Sequence, residues 1–253
     1  IRKDVIIMNI IKNMDYIIKE NGLDLNIITY NILPNSDNDG FIEIVPNSKT
    51  INEIYKSDFT IQNYIMENNK NSRIQDLRKR FTLSCAAYCV ISYLLGIGDR
   101  HLDNIMITQS GLLFHIDFGF IMGNDAKILA SEIRITPDMI DAMGGIKSDN
   151  FKLFKNICTK TYNCLRRHVN LFITMLSSLN KMEPPIDNNR YTKEYIKNQI
   201  LSRFIPGENN QQAKLIFISK VNDNRQTSYG NMIIDWNAQD NVNVTSINLD
   251  SCC

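Results

Sequence analysis

The 253-residue chain is predicted to be α+β: a helix and hairpin at the N-terminus, then a mostly helical remainder. Apolar residues recur at helical spacing between Val5 and Glu20, and an apolar run, a turn cluster and a second apolar run follow as a hairpin. From Arg73 onward the patterned segments read as helices, interrupted by one short hairpin around Gln109-Ser110-Gly111.

In the first helix, Val5, Ile6, Met8, Ile10, Ile11, Met14, Ile17 and Ile18 form the apolar face, and Asn21-Gly22 closes it. Leu25 to Leu33 is predicted as a strand, Asn35 to Gly40 as a turn and Gly40 to Val45 as the antiparallel return. Pro46-Asn47-Ser48 breaks that strand. Short helices near Thr50 to Tyr55 and Phe59 to Glu67 lead into a long helix from Arg73 to Leu95. Ile105 to Thr108 and Leu112 to Ile116 are predicted as paired strands, so Asn104 and Asp117 fall at the outer ends of one hairpin. Thr136-Pro137-Asp138 starts a helix that Gly144-Gly145 ends. Asn150 to Leu179, Thr192 to Phe204, Asn210 to Asn224 and Tyr229 to Gln239 supply further helices, and the residues after Gln239 are expected to be a disordered tail.

A net charge of +1 argues against nucleic acid as a partner, because phosphate-backbone binding needs a strongly basic surface. The six cysteines lack metal-ligand spacing, and Cys85 and Cys89 share one face of an apolar helix, so they read as buried free thiols in a reducing, cytoplasmic setting. No signal peptide is legible, and the first residue is Ile1, so the chain reads as an excerpt. The uncharged run Phe81 to Gly98 is long, but it contains Thr82, Ser84, Tyr88, Ser92 and Gly96; a core helix is expected there, not a membrane span.

The chemistry lies in two strings. Asp99 precedes Asn104 by five positions within Gly98-Asp99-Arg100-His101-Leu102-Asp103-Asn104, and Asp117 opens Asp117-Phe118-Gly119 thirteen positions after Asn104. Phosphoryl transfer from ATP needs a group to orient the attacking hydroxyl, plus an Asn and an Asp to hold magnesium. Asn104 and Asp117 are therefore the expected Mg2+ (or Mn2+) ligands. Asp99 is the candidate for orienting or deprotonating the hydroxyl, with His101 and His115 as competitors because histidine titrates near neutral pH. Arg100 is expected to anchor the loop through carboxylates.

With Asp-Arg-His-x-x-Asn in one loop and His115-Ile116 ahead of Asp117-Phe118-Gly119, the chain resembles the phosphatidylinositol 3-/4-kinase family. The likeness extends to Arg2-Lys3-Asp4, Gly40 to Val45, Ser84 to Ile91 and Met143-Gly144-Gly145, and is greatest to the class III phosphatidylinositol 3-kinases. It implies a protein-kinase-like lipid kinase fold with an incomplete N-lobe remnant (1–45), a mostly helical C-lobe (46–239) and a tail (240–253). It also implies an adenine slot in which the Glu43 carbonyl accepts and the Val45 amide donates, lined by Tyr30, Met106 and Ile116. Asp4 matches an acid of the family's Leu-Arg-Gln-Asp string and is expected to face Tyr30, although Lys3 departs from the family's Gln.

No glycine-rich strand turn and no lysine-bearing strand precede the first helix. Those parts clamp the β- and γ-phosphates. The chain is therefore expected to be the C-terminal part of a larger kinase, turning over ATP poorly alone, with regulatory subunits or missing N-terminal domains as partners; a scaffold that has lost catalysis is the alternative. Between Asp117 and Pro137, Lys127 and Arg134 are offset by Asp125 and Glu132, and no run of basic residues occurs. Each additional headgroup phosphate needs a paired cation, so phosphatidylinositol itself is the expected substrate, at the 3-hydroxyl, with Lys127 and Arg134 as contacts to its phosphodiester. A 4-kinase or a related Ser/Thr kinase is the enzymatic alternative. Location on the cytoplasmic face of endomembranes, as a peripheral protein, follows from the same resemblance. The Tyr229 to Gln239 helix, with Trp236, is expected to meet the membrane or the C-lobe. Cys252-Cys253 matches a prenylated tail only weakly.

Overall fold

The structure is a computed structural model and describes residues 1–36, 39–125, 133–181 and 191–222. Helix α1 (Arg2–Glu20) forms because Ile7, Ile10, Ile11, Met14, Ile17 and Ile18 fall on one stripe, all buried. It stops at Asn21-Gly22, where Gly22 takes φ 76° and the Leu23 amide returns to the Ile18 carbonyl at 3.1 Å. The following apolar residues Leu25, Ile27 and Tyr30 are buried, yet the expected strand over 25–33 reduces to β1 (Ile32–Pro34). Asn26 is the reason: its φ of 54° takes the backbone out of the extended region. Strand β2 (Gly40–Ile42) pairs antiparallel with β1, matching Ile32 to Ile42 and Leu33 to Phe41.

A left-handed Asn47 turns the chain into β3 (Ser48–Thr50), an element absent from the sequence expectation. Its Thr50 then caps α2 (Ile51–Lys56) in a reciprocal pair with Glu53, and Thr60 caps α3 (Ile61–Glu67). The long helix α4 (Ile74–Leu95) is buried along most of its length, as a core helix should be, and ends at Gly96 in the left-handed conformation. Among the described residues no helix is long and apolar enough to cross a membrane.

Strands β4 (Ile105–Thr108) and β5 (Leu113–His115) form the expected hairpin, and β3 extends it to a three-stranded antiparallel sheet in the order β3-β4-β5. Its tip is bolted down: Asn69 Nδ2 donates to the Gln109 carbonyl at 2.6 Å and an Arg80 guanidinium nitrogen to the Ser110 carbonyl at 2.9 Å. Helix α5 (Pro137–Ala142) starts at the Thr136 cap with Pro137 in its first turn. The segment expected as helix from Asn150 to Leu179 is broken at Arg167-His168 into α6 (Asp149–Arg166) and α7 (Val169–Leu176), followed by a 3-10 turn (Ser177–Lys181). At that break the buried Arg166 guanidinium donates to the carbonyls of Ile205 and Glu208. Helices α8 (Lys193–Phe204) and α9 (Asn210–Asn222) complete the described chain. One apolar core runs from α1 to α9, with α4 packed on α6 at its centre.

Candidate active site

Two turns at the outer ends of the β4–β5 hairpin carry the motif residues. The Ile116 amide donates to the Asn104 carbonyl at 3.2 Å, extending the ladder by one rung and fixing the two turns side by side. Asp99 and Asp117 both hold positive φ, 52° and 56°. A non-glycine residue in that region costs on the order of 1 kcal/mol and persists only where its surroundings over-determine it.

Arg100 supplies much of that determination. It is 9% exposed and donates from Nε to the Gly98 carbonyl at 2.8 Å, then to the carbonyls of Asn104 at 3.3 Å and Ile116 at 2.7 Å, and to that of Asp117. The expected anchoring through carboxylates is corrected: a planar, five-donor fork gathers backbone carbonyls from both turns. Burial lowers its pKa to about 10, against the opposing pull of Asp117 and Asp99, so the guanidinium stays charged at neutral pH.

Asn104 is buried, and its Nδ2 donates to the Asp99 carbonyl at 3.0 Å. That bond ties the side-chain amide to the loop through Nδ2, so Oδ1 is the atom left to act as an acceptor. His101 is half exposed, with Nε2 3.6 Å from an Asp99 carboxylate oxygen and Nδ1 accepting the Asp103 amide at 3.2 Å. After Asp117, the Gly119 amide donates to Asp117 Oδ1 at 3.0 Å and the Phe118 amide to Asp4 Oδ1 at 2.9 Å. Lys3 Nζ reaches the Gly119 carbonyl at 3.2 Å, so the N-terminus of α1 braces the Asp-Phe-Gly turn.

His115 is placed otherwise. Residues alternate faces along β5, so Phe114 and Ile116 line a cavity while His115 faces the opposite way, towards α4. There its Nδ1 lies 3.1 Å from Ser92 Oγ and its ring 4.9 Å from that of Tyr88. Burial, with Arg100 adding to it, holds the imidazole well below its ordinary pKa of 6.5, and hence neutral. Its expected place among the catalytic groups is corrected to a core position behind the sheet.

The cavity measures about 540 Å³ and is lined by Tyr30, Glu43, Val45, Met106, Ile116 and Asp4, and by Asp117. Sequence reasoning missed Ile32, Ile42 and Phe114 in its wall. Phe114 could have been found from its two-residue offset to Ile116, and the other pair from hairpin register. The Glu43 amide donates to the Asn31 carbonyl at 2.9 Å, its carboxylate accepts the Asn31 amide at 2.8 Å, and the Val45 carbonyl accepts Ser48 Oγ at 2.8 Å. Among the described residues no hydrogen bond engages the Glu43 carbonyl or the Val45 amide. Tyr30, buried and with its phenol pKa raised first by burial and then by Asp4, directs its hydroxyl at the His115 carbonyl.

Of the expected headgroup contacts, Lys127 lies outside the described residues, as do Tyr229 to Gln239, the tail and Cys252-Cys253. Arg134 is half-buried with its Nε enclosed, close enough to Tyr55 to pull on that phenol, and does not line the cavity.

The donor set suits a hard divalent cation. Among the described residues no group of three or more His, Cys, Asp or Glu side chains could hold a metal. Mg2+ needs none, since it is usually held by one or two protein oxygens together with waters and substrate phosphates.

A family model for phosphatidylinositol 3- and 4-kinases matches residues 1–187. The chain is 31% identical over 231 residues to the phosphatidylinositol 3-kinase pik3 of Schizosaccharomyces pombe, covering 88% of this chain and 29% of that protein. It is 37% identical to phosphatidylinositol 3-kinase 1 of Dictyostelium discoideum (71% of this chain, 12% of that protein). It is 34% identical to the root isoform of phosphatidylinositol 3-kinase of Glycine max (69% and 22%). The chain thus spans less than a third of the length of these relatives. With its paired turns and the apolar cavity between them and the hairpin, the chain belongs to the phosphatidylinositol 3- and 4-kinase family.

Proposed function

We propose that the chain forms the catalytic C-terminal part of a larger lipid kinase that transfers the γ-phosphoryl group of ATP to the 3-hydroxyl of phosphatidylinositol. One observation carries the reading: the turns that carry Asp99 and Asp117, both in left-handed backbone, are tied together by Arg100, and Asp117 lines a cavity whose Glu43 carbonyl and Val45 amide are free to pair with adenine. Residues 1–45 would contribute the adenine-side remnant of the N-lobe, and 46–239 the catalytic lobe.

Asn104 Oδ1 and the Asp117 carboxylate are the groups that would hold Mg2+ or Mn2+, which when bound neutralises charge developing on the ATP phosphates. Asp99 orients the inositol hydroxyl and accepts its proton, and His101, 3.6 Å from that carboxylate, is placed to pass the proton to solvent. Tyr30, Met106, Phe114 and Ile116 exclude water from the base. The phosphate clamp is assigned to segments outside this chain. Leu33 and Phe41, paired on the outer face of the β1–β2 ladder and 66% and 69% exposed, support that assignment. A lone two-stranded hairpin is marginal in water and gains from cover.

Phosphatidylinositol at the membrane surface is the substrate we favour, reached by peripheral attachment. Full-length protein with Mg-ATP and phosphatidylinositol vesicles should yield the 3-phosphate, and Asp117→Ala and Asp99→Asn should each lower kcat by at least about 100-fold. A 4-phosphate product or peptide phosphorylation would redirect the specificity. Turnover that neither change lowers would leave a scaffold role.

A further inference from the structure

We propose that Asp125, outside both motifs, is the positioning residue that holds Asp99 in its left-handed conformation, acting as a hydrogen-bond acceptor and not as a charge. The inference rests on the reading of Asp99 given above.

The end of α4 and the loop after it run beside the segment that follows Asp117-Phe118-Gly119. Three backbone bonds join them, each 2.9 Å: Met122 amide to Leu95 carbonyl, Gly123 amide to Gly96 carbonyl, and Gly98 amide to Phe120 carbonyl. At the next position a side chain replaces the backbone partner, and the Asp99 amide donates to Asp125 Oδ2 at 2.8 Å. At 2.8 Å the bond sits within the ordinary N–H···O range, which an amide oxygen can reproduce. It forms at the residue whose φ of 52° needs an external constraint.

Gly98 makes the approach sterically available. A Cβ at that position would lie 2.2 Å from the Asn124 carbonyl oxygen and 2.8 Å from Asp125 Oδ2, so any side chain there drives the two segments apart. The consequence travels one step further. The Asp99 carbonyl, on the other side of the same residue, accepts Asn104 Nδ2 at 3.0 Å. Fixing the Asp99 backbone therefore orients both the carboxylate assigned to the substrate hydroxyl and the amide assigned to the metal.

Asp125 also faces the Arg100 guanidinium, which senses its charge. An electrostatic role through Arg100 is the rival account, and Asp125→Asn separates the two, since an amide oxygen still accepts the Asp99 N–H but carries no charge.

The test uses full-length protein, phosphatidylinositol vesicles and Mg-ATP, alongside hydrogen–deuterium exchange of the peptide covering Gly98 to Asp103. Asp125→Ala should lower kcat by about 10- to 100-fold, the scale of an ångström-level misplacement, with KM for ATP within about twofold because the adenine cavity is untouched. It should also speed exchange at the Asp99 amide. Gly98→Ala should reproduce both effects, and Asp125→Asn should recover kcat to within about threefold of the parent with slow exchange restored. An Asp125→Asn variant as impaired as Asp125→Ala would overturn the proposal in favour of charge, and an unchanged Asp125→Ala would overturn it outright. If the parent protein phosphorylates no lipid, the lipid-kinase reading fails, and the exchange rates still decide whether Asp125 constrains Asp99.

Discussion

Asp4 accepts the backbone amide of Phe118 at 2.9 Å, joining residues 114 positions apart in the chain. An acid on the first turn of α1 thereby fixes the turn that presents Asp117 to the cavity. Hydrogen bonds to charged acceptors contribute about 1.5–3 kcal/mol, so Asp4→Ala should lower kcat/KM for ATP by roughly 10- to 100-fold. Asp4→Asn, which keeps an acceptor, should recover most of that loss. Steady-state kinetics at varied ATP checks the ordering, and equal defects in the two variants would rule out the hydrogen-bond account.

Arg100 presents one cation to four carbonyls drawn from Gly98, Asn104, Ile116 and Asp117. Lysine keeps the charge and loses the fork, so Arg100→Lys should lower activity by about 100-fold or more and destabilise the fold by about 2–4 kcal/mol, since buried carbonyls lose their donors. Urea unfolding measures the second quantity. A lysine variant as stable as the parent would show that the carbonyls find other partners.

The adenine contacts assigned to residues 43–45 are backbone groups, so side-chain changes there should matter less than loss of the amide. Val45→Pro removes the N–H and should raise KM for ATP by about tenfold, the equivalent of one hydrogen bond of about 1.4 kcal/mol. Val45→Ala should raise it by less than about threefold. ATP titration by calorimetry ranks the two, and the reverse order would move the adenine away from this edge.

What was legible in the sequence follows a pattern. Helices with a clean apolar stripe, a long apolar run or a capping residue, such as α1, α4 and the Thr136-Pro137 start of α5, lie within three residues of their expected limits. The site hairpin was readable because the turn residues Gln109-Ser110-Gly111 separate two short apolar runs. Ser48-Lys49-Thr50 was not, since three polar residues become a strand only through pairing with β4. Residues 25–31 failed in the opposite sense: their apolar content is buried as expected, but Asn26 and the lack of a ladder partner keep them out of a sheet. Within the site, residue identity was legible and orientation was not. Nothing in Asp-Arg-His says that the arginine seeks carbonyls, because carbonyls carry no sequence label. His115 shows the consequence: strand alternation between Phe114 and Ile116 turns it away from the cavity, while the motif alone had set it among the catalytic candidates.

Neutral His115, buried against Tyr88 and Ser92, makes stability depend on pH. Its folded pKa lies well below 6.5, so the unfolded chain binds a proton at a pH where the native protein does not. Stability from this group is complete above pH 6.5 and declines as pH falls towards the folded value, with a limiting slope of about 1.4 kcal/mol per pH unit. His115→Gln, which retains a polar partner for Ser92 without a titrating group, should be less stable at pH 7.5 because the packing is imperfect. Its decline between pH 6.5 and pH 5 should nevertheless be shallower than the parent's by up to about one proton's worth of slope. Chemical denaturation at several pH values gives both curves. Parallel curves would mean that His115 is protonated in the native core, contrary to its enclosure behind the sheet.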